Sequence, residues 1–321
     1  MKFARELSKV SGRTCLAAAL VGAALLASCG GGEQKEKFRA SRIVTFGDEN
    51  TLIRADGTQY TVNNTTVSGA TPCSISPIWV QYVASEYGLT FGECSNAAAR
   101  DNAVMRAAVA SRVVTVSQAM ADFNAAGAPL KSGDLVTLMV GAYDLIDIAT
   151  GHASPNDAEL AALKSTAFER GRLLGSVVFE ATNRGAKVLI TTVPDLGQAP
   201  IGVTGELNAA VLSALTVSFN DGLNDRLSED PNGGGRSGAI LEVDQQFEKY
   251  RRNLNGAYGN FTNYYTAACI TSNAPSDAAD LPACTAIANS SYLWAGRIQF
   301  GLVTHGYLGN DAVARLRANP L

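Results

Sequence analysis

Histidine is almost missing from this 321-residue chain, which has two, His152 and His305. No cysteine pair shows zinc-ligand spacing, so a Cys/His metal centre is not expected, and no other cofactor is called for. Basic charge is also lacking. The 26 Lys and Arg are outnumbered by 29 Asp and Glu, for a net charge of −3, and nucleic-acid binders usually carry a basic face. Beyond the N-terminus no stretch is long and apolar enough to be a transmembrane helix. What remains is globular material. With 46% hydrophobic and 17% charged residues the chain can build a sizeable core, and its length fits one large α/β domain or two small ones.

The N-terminus reads as a targeting segment. Lys2, Arg5, Lys9 and Arg13 make it basic, and residues 16–27 are apolar and small, about right for a signal-peptide core. Leu26-Ala27-Ser28-Cys29 is similar to a bacterial lipobox, with Cys29 as the lipidated residue; a plain secretory cleavage site is the alternative. Acyl chains on Cys29 would hold a soluble domain on a membrane, each buried CH₂ contributing about 0.8 kcal/mol. The expected organisation is a signal peptide over 1–28, a flexible tether over 29–40 and one folded domain over 41–321. The expected location is the cell envelope. Gly30 rather than aspartate comes after the cysteine, which favours the outer membrane if the cell is Gram-negative.

Beyond Cys29 the remaining cysteines are Cys73, Cys94, Cys269 and Cys284, which allow three pairings. Export permits disulfides, and the short-range pairing, Cys73–Cys94 with Cys269–Cys284, is the expectation; four buried free thiols are the alternative.

Ile43, Val44 and Phe46 form a short β-rich apolar run that Gly47-Asp48 breaks. Residues 52–54 and 59–62 around Asp56-Gly57 predict a small hairpin. Residues 134–140, 187–192 and 239–243 predict further buried strands. Helices are expected over 77–87, 109–123, 155–183, 207–227, 245–252 and 311–318. Ser154 would cap the third and Asn310 the last, and Gly171 and Gly175 threaten the continuity of the third. Residues 94–102 and 260–282 read as loop. Alternating strands and helices predict a three-layer α/β/α domain with a parallel sheet, whose ligands belong at the carboxyl ends of the strands.

Thr45-Phe46-Gly47-Asp48-Glu49-Asn50 resembles the first block of the SGNH/GDSL hydrolases, where Phe-Gly-Asp is followed by the nucleophilic serine. Gly141-Ala142-Tyr143-Asp144-Leu145 is similar to the family's Gly-Ala-Asn-Asp-Leu. Residues 185–197 resemble its next strand and loop, and Phe219-Asn220 with Leu223 resembles a helix landmark. Leu293-Trp294-Ala295-Gly296-Arg297-Ile298-Gln299 resembles the final block, which carries the triad aspartate and histidine. The resemblance implies an SGNH-like, flavodoxin-like fold and an esterase or lipase ancestry. It also places Glu49 at the nucleophile, Tyr143 at the oxyanion-hole asparagine, Gly296 at the aspartate and Gln299 at the histidine. No glycine stands in 96–102, where the second oxyanion donor is expected, and His305 matches a non-catalytic histidine.

Two functions emerge as expectations. One is a catalytically inactive or strongly altered lipoprotein that binds a small-molecule, acyl or glycan ligand in the cleft. The other is a hydrolase of ester bonds with non-standard residues, built on Glu49, Asp48 and Asp144, since neighbouring carboxyls do acid/base work when their pKa values are pushed apart. Structural roles compete with this chemistry: Asp48 bonding amides in its turn, Asp144 capping the segment after it, His305 lying in a loop before the last helix and His152 solvated.

Overall fold

The computed structural model describes residues 38–66, 68–94, 102–229, 238–253 and 256–318. Cys29, the signal peptide, residues 233–235 and nearly all of 96–102 lie outside the described residues. The chain enters through β1 (Arg42–Gly47), then α1 (Pro72–Ile75), α2 (Trp79–Glu86), β2 (Ala103–Met105) and α3 (Val113–Ala125). Next come β3 (Asp134–Met139), α4 (Ala142–Ala149), α5 (Asp157–Asn183), β4 (Lys187–Thr191), α6 (Pro200–Val203) and α7 (Ala209–Ser228). The chain ends with β5 (Gly238–Leu241), α8 (Val243–Arg252), β6 (Asn263–Ala267), β7 (Ile270–Thr271), β8 (Ala274–Pro275), β9 (Tyr292–Trp294) and α9 (Leu302–Ala318).

The main sheet runs β2-β1-β3-β4-β5 and is parallel throughout. That is the flavodoxin-like doubly wound order, and its winding reverses between β1 and β3. The expected three-layer α/β/α architecture is therefore the observed one. β3 is buried at all six positions, as its apolar run requires of a strand covered on both faces. Arg42 opens β1 with a forked bond from Nε and Nη2 to the buried Asp134 carboxylate at the start of β3, fixing the register at that end.

Several boundaries differ from the expectation for physical reasons. α5 runs unbroken for 27 residues through Gly171 and Gly175. These glycines let α7 approach: a Cβ on Gly171 would lie 1.9 Å from the Phe219 carbonyl oxygen. Its cap is Asn156, which accepts from the Glu159 amide, and not Ser154. α9 begins at Leu302, which puts Asn310 inside the helix and His305 on it rather than in a preceding loop. Gly306, Gly309 and Asn310 weaken its helical signal, but Thr304, His305, Leu308, Ala312 and Leu316 bury one face of it at helical spacing. α4 and the three-residue edge strand β2 carried too little pattern to be expected. Of the hairpin at 52–62, one antiparallel bridge is present, between Ile53 and Gln59.

Both expected disulfides are present, Cys73–Cys94 with Cα atoms 5.6 Å apart and Cys269–Cys284 at 6.0 Å. By loop-closure entropy each contributes roughly 3 kcal/mol. The second staples the stretch expected to be irregular, which holds β6, β7 and β8 and packs a small satellite core around Tyr60, Val62, Leu281 and Ala295.

Candidate functional site

The reversal of winding between β1 and β3 puts the ends of these strands at the position where such sheets hold ligands. β1 stops at Gly47, whose φ of 151° and close approach to β3 require glycine: a Cβ would stand 2.3 Å from the Met139 carbonyl oxygen. Asp48 then folds back, its Oδ1 accepting from the Asn50 amide at 3.0 Å, which is the turn role its place after glycine suggests. Asp48 is buried. Burial first, and the adjacent Glu49 charge second, push its carboxyl well above the ordinary range.

Asn50 ties this loop to the last block. Its Oδ1 accepts from the Phe300 amide at 2.8 Å and its Nδ2 donates to the Ile298 carbonyl. Between Trp294 and Phe300 the chain doubles back through an antiparallel bridge, with the Ala295 amide on the Gln299 carbonyl. That turn delivers Gln299 to Glu49.

Glu49 is the centre of the arrangement. Its Oε1 accepts from the Tyr143 hydroxyl at 2.5 Å and from Gln299 Nε2 at 2.7 Å, and its Oε2 accepts from the Ala110 amide at 3.0 Å. Glu49 and Gln299 are each 1% exposed. Three donors on one buried side chain suit an acceptor-only carboxylate. The Tyr143 hydroxyl is held protonated: burial, then the Glu49 charge and hydrogen bond, push its pKa far up. Gln299 spends its other amide atom on the Ile298 amide.

The Ala110 donor was not visible in the sequence. It comes from the segment after β2, beyond the 96–102 stretch where the resemblance expects a glycine, and it adopts φ 54°. Arg112 holds it. The guanidinium donates to the Ala110 carbonyl at 2.6 Å, grips both Asp147 oxygens at 2.6 and 2.8 Å, and lies 5.7 Å from the Tyr143 ring centre. Nothing in the local pattern of residues 106–112 marks these partners.

Glu49, Tyr143 and Gln299 thus meet, and they bury one another. Gly296 borders the network through space: a Cβ there would stand 2.4 Å from the Ser276 carbonyl oxygen and 2.6 Å from Gln299 Oε1. Asp144 turns away and accepts from the Val113 amide at 2.9 Å. It therefore caps the first turn of the preceding helix α3 and not the segment after it; burial raises its carboxyl pKa. His305 is 1% exposed, and neither ring nitrogen has a hydrogen-bond partner among the described residues. His152 pairs with Glu159 at the start of α5, at 2.5 Å. Neither histidine hydrogen-bonds to Glu49, Asp48 or Asp144. The cavity beside Asp48 and Asn50, walled by Met139, Thr192 and Phe300, measures about 10 Å³, room for roughly one water. Among the described residues no cluster of His, Cys, Asp and Glu could hold a metal ion.

Gly296 makes a restoration experiment informative. The triple variant Glu49→Ser, Gly296→Asp, Gln299→His is expected to lack esterase activity and to lose more than about 3 kcal/mol of stability, because it takes the buried Glu49 carboxyl from its donors and drives the new side chain at 296 into backbone. Ester hydrolysis and thermal unfolding check it. A triple variant that hydrolyses esters at undiminished stability would show that the loop accepts a serine, an aspartate and a histidine at these positions.

No protein-family model and no curated protein matches the chain. Solved structures similar to it include a catalytic mutant of Axe2, an acetylxylan esterase from Geobacillus stearothermophilus, at 11% identity over 87% of this chain and 95% of that one, TM-score 0.45. The lipase/acylhydrolase from Enterococcus faecalis is 12% identical over 87% and 98%, TM-score 0.40. LAE5, an alpha/beta hydrolase from the metagenome of Lake Arreo, is 12% identical over 87% and 97%, TM-score 0.44. Likenesses this distant decide nothing about chemistry, which rests on the side chains around Glu49.

Proposed function

We propose that this is an exported lipoprotein of the cell envelope that keeps an SGNH-like hydrolase scaffold and has given up catalysis for a binding or structural role. The observation that carries the reading is the Glu49 carboxyl, which sits where the resemblance places a nucleophile and is bonded to Tyr143, Gln299 and Ala110. Serine chemistry needs a hydroxyl, a base that takes its proton and a group that orients the base. At the matched positions glutamate, glutamine and glycine supply neither the hydroxyl nor an imidazole base with a carboxylate to orient it. Glutamine cannot accept and return a proton near neutral pH, and a carboxylate attacking an ester would leave an anhydride. The Tyr143 hydroxyl and the Ala110 amide, two donors that could serve an oxyanion, are already taken by Glu49. Any small-molecule, acyl or glycan ligand meets the protein outside this network, since Glu49 and Gln299 are each 1% exposed.

The purified protein is expected to show no hydrolysis of short-chain acyl esters and no labelling by a serine-directed phosphonate. Glu49→Ala is run beside it to identify a contaminating hydrolase. The reading of an ester hydrolase with unusual residues is supported by the raised pKa of Asp48 next to Glu49, the arrangement an acid/base pair needs. Activity in the wild type that vanishes in Glu49→Ala would establish that second reading and end the first.

The membrane is proposed as the partner through Cys29. Among the described residues no helix is long and apolar enough to cross a membrane, so the lipid carries the anchoring in this reading. A radioactive fatty acid is expected to label the wild type and not Cys29→Ala, with the protein shifting to the soluble fraction in the variant. Equal labelling of the two would remove the anchor from the proposal. If the cell is Gram-negative, the expected membrane is the outer one.

A further inference from the structure

Between α2 and the first half of α9, which pack against each other, lies a cleft apart from the Glu49 network. One cavity of about 340 Å³ is walled by Tyr82, Tyr307, Asn260, Asn310, Pro77 and Leu302, among others. A second, of about 470 Å³, shares Pro77 and Tyr82 as walls and is lined also by Ser85 and Thr90. Each is the size of an ordinary ligand pocket, which is about 300–1,000 Å³. Among the described residues neither is lined by an aspartate, glutamate, lysine, arginine or histidine.

We propose that this cleft binds a neutral oligosaccharide. A sugar ring has an apolar C–H face and a rim of hydroxyls that both donate and accept. The first cavity offers the matching surface: two phenol rings, two carboxamides and an aliphatic floor from Ile75, Pro77, Leu302 and Val303. The Tyr82 and Tyr307 hydroxyls and the Asn260 and Asn310 amides have no hydrogen-bond partner among the described residues, so all four are available to a ligand. A charged ligand would shed water there without gaining a counter-charge, which disfavours anions and cations alike.

The walls are set before a ligand arrives, which lowers the entropic cost of binding. Tyr82 lies across α9 over Gly309, where a Cβ would come within 2.5 Å of its ring. Tyr307 is packed by Tyr258, Phe261 and Tyr250, with ring centres 5.1, 5.4 and 5.7 Å away. The Cys73–Cys94 disulfide staples α1, which carries Ile75 to the cavity edge. This site does not depend on whether the Glu49 network is inert.

The test titrates the full-length protein by calorimetry with cellohexaose, maltohexaose and chitohexaose, and with an oligogalacturonate as the charged control. At least one neutral probe is expected to bind at or below about 1 mM. Asn310→Ala and Tyr307→Phe are each expected to weaken that binding about five-fold, the loss of one neutral hydrogen bond, with the fold unchanged because the first residue is exposed and the second loses only its hydroxyl. No binding of any neutral probe up to about 10 mM, tighter binding of the oligogalacturonate, or affinities that ignore both substitutions would each overturn the proposal.

Discussion

Glu49→Ala is expected to destabilise the protein by about 3–5 kcal/mol, the cost of leaving three buried donors without their acceptor. The carboxyl is 1% exposed and receives the Tyr143 hydroxyl, the Gln299 amide and the Ala110 amide. Alanine leaves these donors facing a small cavity, each short of an acceptor, at roughly 1–3 kcal/mol per unsatisfied group before relaxation. In a domain of this size the loss corresponds to a fall of about 10 °C in Tm. Glu49→Gln keeps the volume and one acceptor but turns an NH₂ toward other donors, so a smaller loss is expected. The vacated space is lined by donors, and millimolar formate or acetate is therefore expected to raise the Tm of Glu49→Ala and to leave the wild type unmoved. A Tm for Glu49→Ala within about 2 °C of the wild type, with no response to formate, would mean that the network is not structural.

The contrast between what local pattern revealed and what it hid is a matter of sequence distance. β1 and β3 announce themselves because a strand buried on both faces must be apolar along its length. Gly47 and Gly141 were legible as strand ends for the same reason that they are needed: at Gly141 a Cβ would meet the Phe219 ring at 2.5 Å. Asn220 clamps the loop after β4 through both the amide and the carbonyl of Val193, so the Phe219-Asn220 landmark belongs to the scaffold. The resemblance also picked out Glu49, Tyr143 and Gln299 as the altered positions. It could not say that they bond to each other, because their contacts span 94 and 250 positions of sequence. Ala110 donates through its backbone, and a backbone donor leaves no residue-type signal. His305 was misplaced because glycines inside α9 suppress helix propensity, while the burial that overrides propensity is a tertiary fact.

Acid is expected to weaken the wild type through His305, and replacing that residue should remove the effect. His305 is buried on α9, its ring centre 5.7 Å from that of Phe300, with neither nitrogen bonded to any described residue. Burial pulls its pKa from 6.5 down to about 3. The unfolded chain therefore takes up a proton below pH 6.5 that the folded protein refuses until about pH 3, so stability is lost as pH falls through that window. Two pH units of it, from 6.5 to 4.5, amount to roughly 2–3 kcal/mol at 1.36 kcal/mol per unit. Asp48, Asp144 and Asp311 act in the opposite sense. Their raised pKa values make the folded state hold protons longer, so they add stability as pH falls toward the ordinary carboxyl value of 3.8. The carboxyls with lowered pKa values, Asp56, Glu86, Glu229 and Glu248, lose their contribution as pH falls below their ordinary 3.8 or 4.5, beyond the acid end of the range. A wild-type curve alone would mix these contributions, so the measurement is a difference. Chemical denaturation of wild type and His305→Met is tracked from pH 7.5 to 4.5. Methionine fills a similar volume without a titrating group, and the carboxyl contributions cancel between the two proteins. The variant is expected to gain about 2–3 kcal/mol relative to the wild type across that range. Parallel curves would falsify the assignment and would mean that His305 finds a proton acceptor when the helix face meets acid.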